Sequence, residues 1–90
     1  MPFTAQPSGD VIVVKVHATR LDAYLAPEFK AKLVHLVQSG HERIVMDMAA
    51  LEFIDSSGLG ALIAGLKALG GHGELVLCGA MQRRRQQYRT

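Results

Sequence analysis

Two apolar runs separated by one amphipathic helix constrain this chain more than anything else in it. Val11-Ile12-Val13-Val14-Lys15-Val16 is rich in β-branched residues and nearly continuous in apolarity, and Arg43 to Met48 repeats that character. Such runs suit strands covered on both faces. Between them, Phe29, Leu33, Leu36 and Val37 recur at i, i+4, i+7 and i+8, which is one face of a helix. Pro27 fits that helix's first turn, Glu28 favours its positive end, and Gly40 stops it. Strand, helix, strand implies a right-handed crossover and parallel pairing.

The same order then repeats. Leu51 to Ile54 extends the second run to a polar turn, Asp55-Ser56-Ser57-Gly58-Leu59-Gly60. A helix follows from Ser57 to about Leu69, Gly70-Gly71-His72-Gly73 ends it, and Glu74 to Cys78 is the last strand. At the front, Phe3 to Gln6 reads as a short edge strand, with Pro7-Ser8-Gly9-Asp10 as the turn of a hairpin reaching Val16. His17 to Leu25 reads as a loop. The predicted fold is α/β: β-β-α-β-α-β, a mixed sheet with helices packed on it. The second helix is unusual in content. Gly60 and Gly65 each cost it roughly 1 kcal/mol relative to Ala, so close approach to a sheet or a partner is expected there.

Ninety residues make one domain. The expected division is a single domain over 1–81 and a basic Arg/Gln-rich tail over 82–90. The net charge of +2 is mostly a property of that tail. Arg83, Arg84, Arg85 and Arg89 lie there, and without them six basic residues face eight acidic ones. The body offers no basic stripe or aromatic platform, so direct nucleic-acid binding is not expected. Cys78 is alone, cannot form an internal disulfide, and is expected as a small buried strand residue. That usage and the absence of a secretory signal after Met1 fit the cytoplasm. No stretch is apolar enough for a membrane span.

Several chemistries are set aside by residue type and spacing. His17, His35, His41 and His72 are scattered without metal-ligand spacing. Ser56 has Asp55 beside it, but adjacent residues rarely face each other, and the surrounding sequence is not a Gly-x-Ser-x-Gly elbow. Gly58-x-Gly60 is too short for a dinucleotide fingerprint. No catalytic, metal or cofactor site is therefore expected. What remains is a hydroxyl at a helix start. One of Asp55, Ser56 or Ser57 should cap the helix. A serine there could also accept a phosphoryl group, which would sit well at the helix N-terminus and block a docked partner without unfolding the chain.

Val11 to Val16, Arg20-Leu21-Asp22, Ala26-Pro27-Glu28-Phe29, Ile44 to Met48, Leu51 to Gly60, and Gly70 to Cys78 together resemble a STAS domain, specifically a bacterial anti-sigma factor antagonist. The resemblance implies that Ser56 is the phosphoacceptor and that Ser57 is the neighbouring hydroxyl and helix cap. Asp55 aids recognition or positioning, Asp22 is the acidic loop residue near the switch, and Gly58, Leu59 and Gly60 complete the motif. It further implies a kinase-type anti-sigma factor as partner, which brings ATP and Mg²⁺, so that this chain is a substrate and not an enzyme. Unphosphorylated, it would bind that kinase and free a sigma factor. An alternative is a STAS interaction or ligand-sensing module in a stress-signalling or transporter-associated complex. Compared with the family, the chain is short at the C-terminus, lacking a closing helix-strand-helix. An open sheet edge and exposed apolar surface are then expected, with self-association as a homodimer or in another form, exchange of elements between two copies being one route.

Overall fold

The structure, a computed structural model, describes residues 2–79. Its elements run β1 (Phe3–Ser8), β2 (Val11–Val16), β3 (Arg20–Leu21), α1 (Ala26–Gln38), β4 (Arg43–Asp47), β5 (Phe53–Ile54), α2 (Ser56–Leu69) and β6 (Glu74–Cys78). Four strands form the main sheet in the order β1-β2-β4-β6. β1 pairs antiparallel with β2 through the Gly9 turn, while β2–β4 and β4–β6 are parallel. The expected mixed sheet is therefore present. Pro7 lies within β1, opposite Ile12. A proline is tolerated there because β1 is an edge strand.

All the buried strand side chains point to one face. Ile12, Val14 and Val16 on β2 and Ile44 and Met46 on β4 join Phe29, Leu33 and Leu36 of α1 and Ala61 and Leu62 of α2 in one core. Phe3 of β1 closes one end, its ring centroid 5.2 Å from that of Phe29. The two helices touch closely where Gly65 meets Leu33: a Cβ on Gly65 would lie 2.7 Å from Leu33 Cδ1. Gly65 is thus small because α1 passes close by.

Four expectations need correction. The continuous apolarity of β2 suggested cover on both faces. Instead Val11, Val13 and Val45 are half-buried and Val76 is exposed on the face away from the helices. Valine suits a pleated, half-covered surface as well as a fully covered one, so the pattern could not distinguish them. Cys78 is exposed rather than buried. It pairs in register with Asp47, on that same open face, and β6 ends the described sheet. Residues 17–25 are not all loop, because β3 pairs in parallel with β5 as a separate two-stranded sheet. Leu51 to Ile54 does not extend β4: the backbone turns at Met48–Leu51, with Leu51 N–H donating to Met48 O at 3.0 Å, before β5 begins. The expected boundary at 81–82 and the tail lie outside the described residues.

Candidate functional site

The Asp55–Gly60 turn is built by three local constraints. First, β5 is pinned to β3, and Asp55 N–H donates to Leu21 O at 3.2 Å. Second, the backbone leaves the strand at Asp55 in an extended conformation, φ −103° and ψ −174°, which is the usual geometry of a helix N-cap. Third, the helix start presses onto β3. A Cβ on Gly58 would lie 2.5 Å from Leu21 O and 2.8 Å from Ile54 Cγ1. Only glycine fits at that position without moving backbone.

The capping role belongs to Asp55. Its Oδ1 accepts from Gly58 N–H at 3.0 Å, and its carbonyl accepts from Leu59 N–H at 3.0 Å. The cap expected at Ser57 is therefore corrected. All three residue types at 55–57 cap well, and the one in extended backbone takes the role. Ser56 and Ser57 fall in the first helical turn and are exposed. The amides of these two residues are the open donors at the helix tip. An anion carried on either side chain would meet those donors and the positive end of the helix dipole.

Asp22 is brought to the same end of the small sheet, one residue beyond β3 as Asp55 is one residue beyond β5. Its Oδ1 accepts from Tyr24 N–H at 3.0 Å, and its backbone carbonyl accepts from Leu25 and Ala26 N–H at the entry to α1. The side chain thus shapes its own loop. Leu59 and Gly60 are exposed on α2, and nothing lies within 4 Å of where a Gly60 Cβ would stand. Gly60 is therefore not explained by packing within the described residues.

Two neighbours escaped the sequence reading. Arg20 stacks on Phe53, its Cζ 4.3 Å from the ring centroid, and its Nε lies 3.7 Å from Asp22 Oδ2. The only sequence signal for the second contact is the i, i+2 spacing of Arg20 and Asp22. Among the described residues no cluster of three or more His, Cys, Asp or Glu could hold a metal ion, and no helix is long and apolar enough to cross a membrane.

This fold is that of a known class, and the chain belongs to the STAS domain family, whose model matches residues 3–89. It is 38% identical over 60 residues to the anti-sigma-B factor antagonist of Staphylococcus epidermidis, a match covering 67% of this chain and 55% of that protein. The chain spans about half the length of the curated relatives it matches. In architecture it is similar to the anti-sigma factor antagonist SpoIIAA in its unphosphorylated form, with a TM-score of 0.71 at 22% identity over 96% of this chain and 82% of that one. The phosphorylated form of Bacillus SpoIIAA gives a TM-score of 0.69, again at 22% identity, over 96% and 81% of the two chains.

Proposed function

We propose that this chain is an anti-sigma factor antagonist switched by phosphorylation of Ser56. Unphosphorylated, the Asp55–Gly60 turn and the adjoining Asp22 loop dock a kinase-type anti-sigma factor, which releases its sigma factor. That kinase brings ATP and Mg²⁺. The Ser56 Oγ attacks the γ-phosphorus, the bond to the β–γ bridging oxygen breaks, ADP leaves, and the hydroxyl proton passes to a base on the kinase. The phosphate then adds up to two negative charges at the docking surface, and the complex dissociates.

The observation that carries this reading is the division of labour at the start of α2. Asp55 supplies the cap, so the exposed Ser56 hydroxyl is free of that duty and sits at the helix end that favours a phosphate. The likeness to the anti-sigma-B factor antagonist supports the choice of partner.

The test is phosphate transfer. The protein, with its Ser56→Ala and Ser57→Ala variants, is incubated with the kinase-type anti-sigma factor and Mg·ATP and mapped by mass spectrometry. One phosphate on Ser56 is expected, retained in Ser57→Ala and absent from Ser56→Ala. Modification that persists in Ser56→Ala, or none in the unaltered chain, removes the proposal.

A further inference from the structure

Arg20 and Phe53 share the outward side of the small sheet. Arg20 stands opposite Phe53, and Leu21 opposite Ile54. Leu21 is fully buried, so strand alternation turns its neighbour Arg20 outward, beside the exposed Phe53. The contacts agree with this, since Arg20 reaches both Phe53 and Asp22. Ser56 follows directly. At about 3.3 Å per residue it starts roughly 10 Å beyond Phe53. A long arginine from one side and a phosphoserine from the other can bridge that span.

The charges there are unbalanced. Asp22, Asp55 and the neighbouring Glu52 are acidic, and Arg20 is the basic side chain among them. The present partners of Arg20 hold it weakly. Its side chain is 62% exposed, its carboxylate contact is long, and a cation over an exposed ring is a soft attachment. A phosphate offers charge-assisted, bidentate hydrogen bonds instead.

We propose that Arg20 is the counter-charge of phosphorylated Ser56, leaving Phe53 and Asp22 to bind the phosphate. This rests on Ser56 being the acceptor, as proposed above. Phosphorylation then changes the docking surface at three side chains besides the serine. Arg20 moves, the Phe53 ring is bared, and the Asp22 carboxylate loses its cation. A partner that accepts the unphosphorylated surface meets both new charge and a rearranged rim.

The test installs phosphoserine at position 56 during translation, with no kinase involved. The phosphate is titrated by phosphorus NMR in the otherwise unaltered chain, in Arg20→Gln, Arg20→Lys and, as a distant control, Arg43→Gln. With Arg20 present the phosphate's proton affinity is expected to be about threefold weaker than in Arg20→Gln, with Arg20→Lys between them. Phe53 ring protons should shift on phosphorylation in the Arg20 chain and stay fixed in Arg20→Gln. The same titration in Arg20→Gln and the Arg20 chain overturns the proposal, as does an equal effect from Arg43→Gln. Because the phosphoserine is installed during translation, this result stands apart from whether a kinase modifies Ser56.

Discussion

At the scale of single residues, Asp55 combines two roles that substitution can separate. As a cap it accepts from Gly58 N–H, and as a carboxylate it places a charge beside Ser56. Asp55→Ala removes both and is expected to lower stability by about 1 kcal/mol, read from the urea midpoint. Asp55→Asn keeps an acceptor oxygen of the same reach. Its stability is expected to stay within about 0.5 kcal/mol of the parent, because asparagine caps as well as aspartate. Docking to the anti-sigma factor should nevertheless weaken in both variants if the charge is read by the partner. Equal docking by Asp55→Asn and the parent would confine Asp55 to capping.

At the scale of elements, α2 shows why its two mid-helix glycines differ. A methyl on Gly65 would meet Leu33, which is fully buried, at 2.7 Å from Cδ1 and 3.2 Å from Cβ. Gly65→Ala should therefore destabilise by about 1–3 kcal/mol despite its better helix propensity. Gly60 faces open space, so Gly60→Ala should stabilise by up to about 1 kcal/mol. Thermal unfolding of the two variants would separate them, and destabilisation by Gly60→Ala would show a constraint not visible in the packing. The sequence announced both glycines as a cost but could not say which one the fold explains. It did show the β1–β2 hairpin, both helices and the parallel strands, because each carries a turn signal or a run long enough to have a period. β3 and β5 were not readable, since two residues cannot display alternation. The turn itself was legible as a polar strand-to-helix junction. Its cap and the Arg20–Phe53 contact were not, because they depend on backbone conformation and on strands that had gone unseen.

At the scale of the whole molecule, the surface beside the site bears on self-association. Leu59, Ile63 and Leu66 recur at i, i+4 and i+7 on α2 and are 50%, 52% and 53% exposed. Leu77 of β6, on the helix side of the sheet, is also exposed. Burying the exposed half of these four side chains on each of two copies would release about 6–12 kcal/mol. That is comparable to the cost of association, about 4–15 kcal/mol. The apolar flank alone therefore supports weak association and not a tight dimer, and exchange or edge pairing of strands would have to supply the remainder. The expected outcome in sedimentation is a concentration-dependent average mass in the tens of micromolar and above, abolished by Leu66→Glu. A monomer at all accessible concentrations would remove the idea. The flank begins at Leu59, three residues from Ser56 and so on the same side of the helix. Self-association and anti-sigma docking should consequently compete for one surface. If the proposed anti-sigma docking holds, adding that partner is expected to convert any dimer to a complex with one copy of this chain per docking site, and Leu66→Glu should weaken both interactions while leaving the buried core untouched.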